Sequence, residues 1–369
     1  MAGIAATDRA LGADKAGLVV VFASDAHDLE VLVRGIAERS DGAALIGCST
    51  AGEIAIGGPG DAGVVVIAIG GEGFAVATAA VTEVSGRLRE AGAEAARCAS
   101  RLPDRPHRAL MLLTDGLAGD QQEIVRGAYG ELGAGVPLVG GCAGDDLKMT
   151  RTFQLHGDRV LRDAVVAAAI ASDAPLGIGV RHGWRRVGEP MLVSESRENR
   201  VYALEEGAAL DVYLERLGAP EAARHEPAAF TAFALTHPLG LDRRGEEQVR
   251  FIGEANFDDR SLGCIAEVPQ GALVWFMEGD ERSVLDATDA ACQAALAPLN
   301  GRAPLGMIAF DCIARRGVLG EAGIAREVDR IAELAGGAPV AGFYTYGEIA
   351  RTRGVSGFHN QTLVVLAVG

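Results

Sequence analysis

The sequence contains no run of basic residues, and its 34 Lys and Arg are outnumbered by 50 Asp and Glu, a formal net charge of −16. A field of that sign repels phosphate backbones and anionic bilayers, so neither nucleic acid nor a membrane surface is an expected partner. A long apolar stretch is also missing. Val165–Ala171 is apolar throughout but falls far short of the roughly 20 residues that cross a bilayer. Residues 1–15 hold Asp8, Arg9, Asp14 and Lys15 rather than a continuous apolar core, which argues against a signal peptide and for a cytoplasmic location. The six cysteines, Cys48, Cys98, Cys142, Cys264, Cys292 and Cys312, include no C-x-x-C pair. In a chain of this size they read as reduced thiols rather than as a disulfide framework. No His/Cys pair has zinc-ligand spacing. Both G-x-x-x-x-G-K-[ST] and G-x-S-x-G are absent, which removes the common phosphate-loop and serine-hydrolase signatures.

What is present is a chain of 369 residues, 49% of them apolar, enough for a true core and for two domains. Short β-branched runs alternate with amphipathic stretches. Gly17–Ser24 reads as a buried strand and Asp28–Arg39 as a helix, with Leu29, Leu32, Val33 and Ile36 at helical spacing. A strand at Ala43–Thr50 follows, then a hairpin formed by Val64–Ile69 and Phe74–Val81. The layout restarts at Ala109–Asp115 with a helix at Gln121–Leu132, and again in the strand–helix–strand segment Gly306–Val340, closed by a strand at Thr362–Val368. Long alternating strands fill the region after Gly177. The expected fold is α/β: two fused mixed-sheet modules with internal strand–helix–strand repeats, covering 16–200 and 201–369.

An internal repeat carries the most information. Gly47-Cys48-Ser49-Thr50-Ala51-Gly52-Glu53-Ile54 matches Gly342-Phe343-Tyr344-Thr345-Tyr346-Gly347-Glu348-Ile349 at five of eight positions. A shorter third copy is Gly140-Gly141-Cys142-Ala143-Gly144-Asp145-Asp146. Each follows a strand–helix–strand unit, so the three Gly-rich turns are expected together at the ends of central strands, where open α/β sheets bind ligands. Glycine lets the backbone approach closely, and an ionised carboxylate only accepts hydrogen bonds. Two readings of Glu53, Glu348 and Asp145 follow. With Thr50, Gly52, Thr345 and Gly347 they form a site for a small amphoteric ligand such as an amino acid, or they accept backbone N–H bonds and fasten their own turns.

With these turns, Val19-Val20-Val21-Phe22, Val340-Ala341 and Phe358-His359-Asn360-Gln361-Thr362-Leu363, the chain resembles the FIST family of bacterial sensory proteins over nearly its whole length. The resemblance implies an N-terminal and a C-terminal FIST module that sense a small ligand and do no chemistry. It further implies action on a separate signalling partner, such as a histidine kinase or a cyclic-di-GMP enzyme. Some stand-alone members bind haem and sense nitric oxide; others are thought to bind amino acids. For haem, His182 has the most suitable surroundings. Gly183 leaves room beside the ring, Trp184 offers an apolar wall, and Arg181, Arg185 and Arg186 suit propionates. His182 is then the expected iron ligand, with His156 as a second candidate. Against both stands a hydrogen-bonded structural histidine. The competing enzyme reading uses Cys48 or Cys142 as a nucleophile on a strand-end turn.

Overall fold

The computed structural model describes residues 2–11, 15–243, 246–352 and 357–369. Its body is one motif written three times. In the first unit the strand Ala16–Ala23 leads through the helix Leu29–Arg39 to a parallel neighbour, Ala44–Ser49. The strand Val64–Gly70 then pairs antiparallel on the other side of Ala16–Ala23. The second unit repeats this with His107–Thr114, Gln121–Leu132, Leu138–Cys142 and Ala164–Ser172. The third does so with Gly306–Cys312, Ile313–Leu334, Val340–Thr345 and Leu363–Val368.

The units are interlocked. The hairpin that leaves each Gly-rich turn joins the sheet of a neighbour rather than its own. Glu53–Ala55 and Gly58–Gly60 extend the third sheet beside Val340–Thr345. Gln154–His156 and Arg159–Leu161 extend the first beside Ala44–Ser49. Glu348–Arg351 and Phe358–His359 extend the second beside Leu138–Cys142. The exchange runs round a closed ring, and backbone hydrogen bonds now cross every boundary between units.

Alternation along each strand explains the shared core. In Ala16–Ala23, the residues Leu18, Val20 and Phe22 face the centre, while Val19, Val21 and Ala23 pack under Val33 and Ile36 of the following helix. With both faces buried, such strands read as continuous apolar runs. At the centre Phe22 stacks on Phe343 at 4.6 Å between centroids, and Phe310 meets both edge-on at 6.2 and 5.9 Å. Outer helices cover the sheets. Leu88–Ala96 lies on the second and Glu281–Leu296 on the third.

A lobe with its own core interrupts the third unit between Leu176–Arg181 and Glu281–Leu296. Tyr213, Phe230 and Phe276 anchor that core. The strands Arg185–Arg197 and Leu273–Glu278 form its stem, with Arg185 directly opposite Glu278. The lobe therefore leaves and re-enters the body at one place.

Candidate functional site

The three Gly-rich turns meet at the strand ends, as the repeat predicts. Gly144 N–H donates to Ser49 O at 3.0 Å, joining the second unit to the first. Cys142 N–H donates to Gly347 O at 2.8 Å, and Tyr344 N–H to Gly52 O at 2.8 Å, joining the other two pairs. The leading glycine of each copy is required by its neighbouring strand. A Cβ on Gly47, Gly140 or Gly342 would lie 2.3, 1.9 or 2.2 Å from the carbonyl oxygen of Val21, Leu112 or Ala309.

The acids of these turns spend their oxygens on the chain itself. Glu53 accepts from the Thr50 hydroxyl and from Gly63 N–H at 2.8 Å. Glu348 accepts from the Thr345 hydroxyl and from Thr362, through N–H at 3.1 Å and hydroxyl at 2.8 Å. Asp145 accepts the N–H groups of Met149, Thr150 and Arg151 at 2.8–3.0 Å and the Tyr346 hydroxyl. Each acid thus holds the chain segment that follows its turn, and the fastening reading is the one this geometry favours. Burial raises the carboxyls of Glu53 and Glu348 to about 7, against the lowering effect of their hydrogen bonds.

Cys48 and Cys142 are buried beside these turns. Burial, the largest cause, pushes the Cys142 thiol up to about 12 and that of Cys48 well up also. Neither is a ready thiolate.

His182 sits at the root of the lobe. Trp184 N–H donates to its Nδ1 at 3.0 Å, and its Nε2 faces Glu247 Oε1 at 3.2 Å. Trp184 is buried and donates from Nε1 to Gln361 O at 3.0 Å. Arg186 is paired with Glu247 and lies over Trp275, Arg185 faces Glu278 and Asp280, and Arg181 donates to Val180 O. An axial ligand needs a free ring nitrogen beside an open slot. Both nitrogens of His182 are engaged, so these residues as folded do not fit a haem. His156 is half-buried with Nε2 on the Thr78 hydroxyl at 3.1 Å. Among the described residues no group of three or more His, Cys, Asp or Glu is arranged to hold a metal ion.

A hollow of about 630 Å³ opens between the body and the lobe. One wall is the strand-to-helix loop of the second unit, with Gly116, Leu117, Gly119 and Asp120. The other is the lobe's turn at Glu198 and Asn199 with Ile265–Glu267. The body wall is firmly built. Asp115 accepts from Leu117 N–H at 2.9 Å, the Thr152 hydroxyl at 2.7 Å and Asp163 N–H at 3.0 Å. Asp120 caps the helix Gln121–Leu132 through Gln122 N–H at 2.9 Å. Leu117 and Ile265 are exposed apolar side chains at 36% and 42%. The sequence held a signal for this wall in the Asp115-Gly116-Leu117-Ala118-Gly119-Asp120 loop at the end of a buried strand. The opposite wall depends on where the lobe folds back, and no local pattern gives that.

A model of the FIST N domain matches residues 17–206, and a model of the FIST C domain matches 209–351. The chain belongs to the FIST family. FIST domains are sensory domains of signal transduction. The N-domain match spans the first two repeat units, and the C-domain match spans most of the lobe and of the third unit. No curated protein matches this FIST chain significantly. Among the described residues no helix is long and apolar enough to cross a membrane.

Proposed function

We propose that this FIST protein senses a small amine-bearing metabolite, with an amino acid as the simplest example, in the hollow between body and lobe. The observation that carries the reading is the composition of the two walls. Asp120, Glu198 and Glu267 supply negative charge, Arg126 lines the hollow while paired with Glu123 on its own helix, and Leu117 and Ile265 offer apolar contact. A cleft at a strand end between two bodies is a common ligand location. A ligand touching both walls favours one lobe position over others, because it binds that position better. Occupancy is then read by a separate signalling protein, such as a histidine kinase or a cyclic-di-GMP enzyme.

The test is a thermal-shift panel of amino acids and amines on wild type and on Glu198→Arg, a reversal at an exposed turn. Saturation at about 100 times Kd stabilises the native state by roughly 2.7 kcal/mol, a readable shift. The expected result is at least one stabilising amine whose effect disappears in Glu198→Arg while the melting temperature without ligand stays unchanged. A panel without any shift, or a Soret band in protein expressed with haem supplied, counts against the amine reading.

A further inference from the structure

Beneath the stem of the lobe lies a charged cluster with no access to solvent. Arg315, Asp311 and Glu327 are 0%, 0% and 1% exposed. Arg315 Nε donates to Asp311 Oδ1 at 2.6 Å, and its Nη2 donates to Glu327 Oε1 and to the Thr288 hydroxyl, the latter at 2.9 Å. The charges do not cancel: two carboxylates face one guanidinium. Among the described residues, three buried oxygens around this cluster have no hydrogen-bond partner, namely Asp311 Oδ2, Glu327 Oε2 and the Tyr344 hydroxyl. The Asp311 and Glu327 side chains lie within hydrogen-bonding reach of each other.

A surplus buried negative charge costs several kcal/mol. An acceptor left without a donor adds about 1–3 kcal/mol more. One proton removes both penalties. Held on Asp311 Oδ2 or Glu327 Oε2, it turns an acceptor without a donor into a donor and makes the cluster neutral. We propose that Asp311 and Glu327 form a proton-binding site, holding one proton under the Arg315 clamp.

Among the described residues named around the cluster, no uncommitted cation offsets the surplus charge. From the helix Glu281–Leu296 come Cys292 and Asp289, from the third-unit sheet Tyr344, Cys312 and Glu348, from the stem His182, and from the helix of Arg315 itself Arg316. Arg316 is committed to Asp61 and Glu321.

Its position gives the proton a lever. The helix Ile313–Leu334 is broken at Gly320, where φ is 62° and ψ is 176°. Arg315 lies before the break and Glu327 after it, so their pairing spans the kink. Arg315 Nη1 also reaches His182 O at 3.4 Å, at the root of the lobe. Loss of the proton leaves two buried carboxylates repelling each other on either side of the kink, each on its own N–H of Arg315.

The experiment is infrared spectroscopy of the full chain for the carbonyl stretch of a protonated carboxylic acid, at a pH well above the midpoints of Glu53 and Glu348. Wild type is expected to show one such band. Asp311→Asn, whose amide reproduces the donor, and Glu327→Gln are each expected to lose it while still melting cooperatively. No band in wild type, or a band that survives in both variants, would overturn the assignment. Should one variant fail to fold, the wild-type spectrum and the remaining variant still decide it.

Discussion

At Glu348 a carboxyl with no exposed surface is held by Thr345 and Thr362, and at Glu53 the same geometry recurs with Thr50 and Gly63. Both midpoints rise from 4.5 to about 7. The unfolded chain releases these protons near the ordinary value, whereas the folded chain keeps them to about 7. Between those limits the unfolded state binds fewer protons, so stability falls as pH rises. At about 1.4 kcal/mol per pKa unit, each glutamate accounts for up to about 3 kcal/mol over that window. Glu348→Gln and Glu53→Gln are each expected to flatten the pH dependence of urea unfolding between about pH 4.5 and 7. An unchanged slope in both would refute the buried-carboxyl account. The same pair shows why the repeat was visible at all. Its leading glycines, Gly47 and Gly342, are fixed by a strand carbonyl at about 2 Å from any Cβ, and its Thr and Glu by the bond between them. What the sequence left open was whether the acids faced a ligand, because an acceptor on a turn serves either purpose until its donors are located.

Among the elements, the strands and helices of the three units were legible because their apolar patterns are long and their punctuation is strong. Gln121–Leu132 and Glu281–Leu296 start at Asp caps, Asp120 and Asp280. Leu88–Ala96 was not legible, being rich in alanine and lacking a side-chain cap. Hairpin exchange was also hidden, since Glu53–Ala55 pairs with residues almost 290 positions away and pairing at that range depends on the assembled core. The stem makes the lobe separable in principle. Arg185 and Glu278 already sit opposite each other, and among the described residues no ring contact joins the lobe's Tyr213, Phe230 and Phe276 to the Phe22, Phe310 and Phe343 cluster. Replacing residues 187–276 with a two-residue turn should leave a body that melts cooperatively and has lost metabolite binding. An insoluble or non-cooperative product would show that the lobe is part of the folding unit. Removing any one of the three exchanged hairpins, by contrast, breaks a neighbour's sheet.

Taken as a whole, the molecule is a ring of three interlocked units with a lobe that leaves the third, and the lobe also meets the body away from its stem, through Ala266, Val249 and Leu235. The interlocking makes the body stiff, because exchange of hairpins denies each unit an independent motion. At the root of the lobe Gly183 lies in the left-handed region at φ 82°, packed against Ser283 of the helix Glu281–Leu296. The proposed ligand would act by favouring one lobe position over others. Hydrogen–deuterium exchange on the full chain, with and without the stabilising amine, tests this most directly. The account predicts added protection in residues 116–120 of the body and in 198–199 and 265–267 of the lobe together, with the central strands unchanged. Protection confined to one wall, or to surfaces away from both, would contradict it.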